Sequence, residues 1–254
     1  MINEPPQGKQ MSFFSHLEEL RQRVLRSFIA IILCAFSSLL LIKPLVKALE
    51  APAGSIRFLQ LAPGEFLFVS IKVAGYAGLI IALPYIVFQI LSFVLPGLTK
   101  NEQKLIAPAV ACSAILFILG IFFSWRTLVP AALNFLVNYG ADVVEPQWSI
   151  EKYLDFVLLL MLGTGLSFQV PILQFLLGIL GLVKWKQMLS AWRWVLISSA
   201  IAGAVITPST DPITMLLLAS SILFLFLIGV LLVAITEKFK EQIPPKTSPP
   251  SKAN

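Results

Sequence analysis

Charge is scarce in this chain. Of its 254 residues, 13% are Asp, Glu, Lys or Arg and 57% are hydrophobic, whereas an ordinary soluble domain carries about a quarter charged residues. That excludes a soluble globular protein and points to a membrane protein. Histidine occurs once, as His16 ahead of the first apolar run, so neither an HExxH zinc site nor a buried Ser–His dyad can be assembled. Cysteine occurs twice, and Cys34 and Cys112 both fall in apolar runs, which excludes a disulfide framework and reads as two small core hydrophobes. The GLSF around Ser167 lacks the second glycine of a nucleophile elbow. Asp155 and Asp211 stand at the ends of apolar segments, against an intramembrane aspartyl pair, and no phosphate-cradling glycine loop occurs. The expectation is a protein without catalytic residues, metal or cofactor. No internal repeat is visible, which argues against an inverted-repeat transporter.

What is present is a series of apolar segments: 25–42, 66–94, 105–123, 156–180, 194–206 and 213–235. They predict an all-α membrane protein of six transmembrane helices, residues 12–237, between an N-terminal tail (1–11) and a Pro/Ser/Lys-rich tail (238–254) expected to be disordered. About 20 residues are needed to cross a hydrocarbon core, and the fifth segment is shorter, so either flanking polar residues are drawn in or the bilayer thins there. The residues before the first span are too many and too acidic for a typical signal peptide, so that span is expected to stay in the mature protein. The 19 Lys and Arg divide thirteen to six between the two sides, the larger share flanking both termini, which places the termini in the cytoplasm. The +6 charge is therefore read as a topology signal and not as a nucleic-acid surface.

The stretch SFFSHLEELRQRVLRSF joins a charged amphipathic helix to the first span. Ser15 and Glu18 fit a capping box, Arg21, Arg23 and Arg26 are expected among lipid headgroups, and Glu19 can pair with Arg23 at i, i+4. In the loop LPGLTKNEQK, Glu102 stands between two lysines. Two acids on one face could receive guanidinium groups in bidentate fashion, a geometry that lysine cannot reproduce; spacing leaves open whether Glu19 and Glu102 converge or are screened surface charges. Pro84, Pro108 and Pro171 should bend their spans. Gln169, two residues before Pro171, either satisfies carbonyls freed by that proline or faces a partner or a wet cavity. Glu65 stands at the entry to the second span, and Asp211 before Pro212 can cap the sixth.

In order, SHLEELR, LAPGEFLFVSIK, ALPYIVFQILSFVLPGLTKNEQK, SFQVPILQFLLGILGLV and ITPSTDP resemble the TatC family over about residues 12–235. The resemblance implies a concave, glove-like wall of kinked helices. It also implies a receptor that binds twin-arginine signal peptides of folded cargo, assembles with single-span TatA/TatB-type subunits and with copies of itself, and works on the protonmotive force without enzymatic activity. By that resemblance Glu19 and Glu102, with Arg21 in the same motif, hold the arginine pair, while Gln169, Pro171 and Asp211 form an intramembrane or partner-facing polar site. The membrane would be a bacterial plasma membrane or a thylakoid. The chain departs from the family pattern at Gln169, where many members carry glutamate, and at Met215 and Leu227, where polar residues are usual. A secondary transporter of a small solute, with Gln169 on its path, is the alternative reading.

Overall fold

In a computed structural model, residues 13–54, 56, 58–94, 103–139, 147–207 and 211–241 are described. They form ten α-helices: α1 (Phe13–Leu39), α2 (Ile42–Glu50), α3 (Glu65–Val94), α4 (Ile106–Phe123), α5 (Val129–Tyr139), α6 (Ile150–Ser167), α7 (Val170–Ile179), α8 (Trp185–Ser190), α9 (Trp192–Ile206) and α10 (Pro212–Glu241). Five segments are long and apolar enough to cross a membrane: Phe14–Leu39, Glu65–Phe93, Ile106–Tyr139, Ile150–Ile179 and Pro212–Lys238, with Trp192–Ile206 as a shorter apolar helix. The protein is an all-α, multi-pass integral membrane protein. Among the described residues the one strand pairing is parallel and two residues long, β1 (Phe58–Leu59) on β2 (Trp148–Ser149), with Phe58 opposite Trp148.

The chain comprises two compact units, Met1–Ala114 with Trp148–Leu154, and Ile115–Gln147 with Asp155–Asn254. Two of the three boundaries, after Ala114 and after Leu154, fall inside helices, where composition carries no mark.

In the first unit α1 packs along α3. Between apolar helices in lipid there is little hydrophobic drive, so close approach of backbones and dense packing must hold them. Ala74, Gly78 and Ala82 recur every fourth residue on α3, and a methyl group at Gly78 would lie 2.5 Å from the backbone nitrogen of Ala35. The seam exists because Gly78 has no side chain. At one end, α2 and the paired strands are tied down by Tyr153, 2% exposed, which donates to Leu49 O at 2.7 Å and packs against Phe58. Glu65 is buried at the first turn of α3, accepting from the backbone of Leu61 (2.5 Å) and Ala62 (3.1 Å) and from Ser149 Oγ (2.8 Å).

In the second unit, α4 and α6 cross with reciprocal notches. A methyl at Gly120 would meet the Phe168 ring at 2.8 Å, and one at Gly165 would meet Phe117 at 2.6 Å. The third span continues from α4 through a π-helical segment, Ser124–Leu128, into α5. α10 packs on α7, α8 and α9, and Met188, Phe226, Val230 and Val233 form a buried cluster there.

Three expectations need correction. The first helix is already formed at Phe13, so Ser15 lies within it and the capping box does not start it. Cys112 is exposed on its helix and Cys34 half-buried, so neither is a core residue in this chain. Pro108 is the third residue of α4, in the first turn, where a helix lacks nothing by losing an N–H and no bend is required.

Candidate functional site

Glu19 sits on the charged end of α1, where the helix is still amphipathic. Its Oε1 accepts from Arg23 through Nε at 3.1 Å and through Nη2. The same guanidinium reaches across to α3, donating to Gln89 Oε1 at 3.3 Å, and Gln89 donates to Tyr85 Oη at 2.6 Å. His16, one turn before Glu19, stacks on Phe93 of α3 with ring centroids 4.1 Å apart, and its Nδ1 lies 3.7 Å from Glu19 Oε2. The site is thus a polar chain clamped between the facing ends of two helices.

Its chemistry follows from what is left over. Oε2 of Glu19 is shielded from solvent and accepts no hydrogen bond. A shielded carboxylate oxygen without a donor is unfavourable by about 1–3 kcal/mol, so it is an acceptor waiting for a strong, charged donor. Below the polar chain an apolar cavity of about 360 Å³ opens between α1 and α3, lined by Leu20, Val24, Phe28, Ile86, Ile90 and Phe93 with Arg23, Ser27 and Gln89 at its polar part.

Arg23 does not face headgroups as its spacing suggested: its side chain is 19% exposed and folded onto Glu19 and Gln89. Arg21 does project outward, at 70% side-chain exposure, in a loose pair with Glu18 at 3.3 Å. Glu102 lies outside the described residues, and so does the geometry of the two acids together. Neither Gln89 nor Tyr85 was singled out from sequence; their i, i+4 spacing on one face of the second span, at its charged end, is the signal that could have found them.

The intramembrane residues separate. Pro171 is the second residue of α7 and lacks the N–H that would continue the ladder, so the fourth span breaks at Phe168 and Gln169. Gln169 caps the second half, its carbonyl accepting from Ile172 and Leu173 at 3.0 Å each, and its side chain is half-buried. Asp211 is 1% exposed and engaged in its own helix start: Oδ1 accepts from Ile213 N at 2.9 Å and Oδ2 from Thr214 N and Oγ1 at 3.3 and 2.7 Å. Pro84 is accommodated inside α3 without interrupting it. Gln174, 6% exposed on α7, has no hydrogen bond at either amide atom.

Five apolar spans and one shorter apolar helix, with polar clusters at their ends, define a multi-pass membrane protein. The pattern of the Sec-independent protein translocase protein family, TatC, matches residues 15–220. The chain is 51% identical over 229 residues to the Sec-independent protein translocase protein TatC of Synechocystis, covering 90% of each. It is 52% identical to the chloroplastic TATC of rice, covering 91% of this chain and 65% of that one. A solved structure titled as the twin-arginine translocase receptor TatC superposes with a TM-score of 0.77 at 30% identity, over 87% of this chain and 99% of that one. This chain belongs to the TatC family.

Proposed function

We propose that this chain is the receptor subunit of a twin-arginine protein translocase, and that Glu19 and Glu102 together take the paired guanidinium groups of a cargo signal peptide. The observation that supports the reading is the donorless Oε2 of Glu19 beside an oxygen already saturated by Arg23. An incoming arginine has two routes: it can occupy Oε2 as His16 turns aside, or displace Arg23, which keeps Gln89 as a second acceptor. The second route frees both carboxylate oxygens for a planar fork, which explains why paired lysines would be a poor substitute there. Arg21, outside this clamp, contributes a positive potential and not a contact.

The working complex includes single-span TatA/TatB-type subunits and further copies of this chain, with Gln169 at the break in the fourth span, beside Pro171 and near neither charged cluster in sequence, as the polar element turned toward a partner helix. Asp211 acts on partners only through the placement of α10. No catalytic step is assigned; the protonmotive force supplies the work, and the membrane is a bacterial plasma membrane or a thylakoid with both termini on the cytoplasmic or stromal side.

The test is binding of a fluorescent signal peptide to the full chain in nanodiscs. Glu19→Gln and Glu102→Gln are each expected to weaken a twin-arginine peptide about tenfold or more, the worth of one charge-assisted bidentate contact, and to leave a twin-lysine peptide nearly unchanged. Equal affinity of wild type and both variants for the twin-arginine peptide would remove these residues from the site.

A further inference from the structure

The second unit carries a cationic, tryptophan-rich ledge that the receptor reading does not use. The backbone N–H of Trp185, at the start of α8, donates to Glu237 Oε1 of α10 at 3.0 Å. That bond draws the last turns of α10 against α8, and it occupies the acid that would otherwise face the bases around it. Lys184, Lys186, Arg193 and Lys238 are all exposed there, and among the described residues none of them meets a carboxylate. Lys186 lies 5.7 Å from the ring centre of Trp185 and Arg193 5.7 Å from that of Trp192, so indole faces hold two of the cations in place. Trp192 and Trp194 are 45% and 74% exposed at the first turn of α9.

Charge, aromatics and level agree on one occupant. α9 and α10 are apolar beyond this end, so the ledge stands where a bilayer changes from hydrocarbon to headgroup. Exposed indoles favour that level, and each basic residue near an anionic surface adds on the order of 1 kcal/mol of attraction. An acidic protein would need no flanking tryptophans; a lipid with its phosphate at the cations and its chains beside Trp192 and Trp194 uses both features. We propose that Lys184, Lys186, Arg193 and Lys238, framed by Trp185, Trp192 and Trp194, bind the headgroup phosphate of an anionic phospholipid and so anchor the short fifth span, α9, at a fixed depth.

Native mass spectrometry of the full chain, released from nanodiscs of mixed phosphatidylglycerol and phosphatidylcholine, tests this. Wild type should retain phosphatidylglycerol in preference, and Lys184→Gln/Lys186→Gln/Arg193→Gln should lower the retained ratio by about tenfold or more. Lys184→Arg/Lys186→Arg should keep it. If the triple variant does not fold, Lys186→Gln and Arg193→Gln singly should each lower the ratio several-fold. Neutralising Lys43 and Lys47, exposed bases of α2, should leave it unchanged, and soluble glycerophosphoglycerol should not compete. Equal retention of the two lipids by wild type, an unchanged ratio in the triple variant, an equal loss on neutralising Lys43 and Lys47, or full competition by the soluble ester would each overturn the proposal.

Discussion

At the scale of single residues, the buried amide of Gln174 lies where a glycine makes room for it. A methyl group at Gly229 on α10 would lie 1.8 Å from Gln174 Oε1 and 3.0 Å from the Cα of Pro171. The amide therefore lies directly on the α10 backbone, without a hydrogen bond at either atom. Two consequences are measurable by thermal unfolding in detergent. Gln174→Met keeps the length and removes the unpaired amide, and should stabilise by about 1–3 kcal/mol. Gly229→Ala should destabilise by about 1–3 kcal/mol through overpacking, and Gln174→Ala in the same chain should recover most of that loss, since the two sites share one space. Additive effects would mean that the notch is not a contact. Glu19 shows the same economy differently: its i, i+4 partner Arg23 was legible from spacing, whereas its unsatisfied oxygen was not, because that depends on where His16 and Gln89 arrive from another helix.

At the scale of elements, the first unit rests on the α1 and α3 seam. Gly78→Leu should prevent α1 from seating, because the side chain would need space taken by the backbone of Ala35; loss of the folded peak in size-exclusion chromatography is the expected outcome. Gly75→Ala is the control, since nothing lies within 4 Å of a methyl there. A folded Gly78→Leu protein would show that the seam yields. The spans themselves were legible because each is a sustained apolar run, and the short fifth span, 15 residues in α9, was visible as a deficit of length. The breaks were less so. Pro84, Pro108 and Pro171 look alike in sequence, yet one is absorbed within α3, one sits harmlessly in a first turn, and one splits α6 from α7. What distinguishes them is distance from a helix start, which apolar runs do not mark. The π-helical Ser124–Leu128 segment, with Ser124 Oγ buried and unpaired, and the Phe58 and Trp148 pairing left no periodic trace at all.

At the scale of the whole molecule, the sense of insertion is fixed by charge, and it can be read by chemistry. Thirteen bases flank the termini and the loops on their side, and six lie on the other; transferring the excess across a bilayer against the usual bias is what the distribution resists. With Cys34 and Cys112 replaced by alanine, Lys47→Cys on α2 and Ser190→Cys on α8 provide two exposed reporters. In right-side-out vesicles a membrane-impermeant maleimide should label Lys47→Cys and spare Ser190→Cys, and in inverted vesicles the pattern should reverse. In the unsubstituted chain, Cys34 and Cys112, which belong to apolar helices, should stay unlabelled in vesicles of either sense until detergent is added. Labelling of Lys47→Cys only from the cytoplasmic face would place the Glu19 end of α1, one span away in the same unit, on the side away from any cytoplasmic cargo. A receptor for peptides made in the cytoplasm could not then be built on Glu19, whatever the peptide-binding assay in nanodiscs returned.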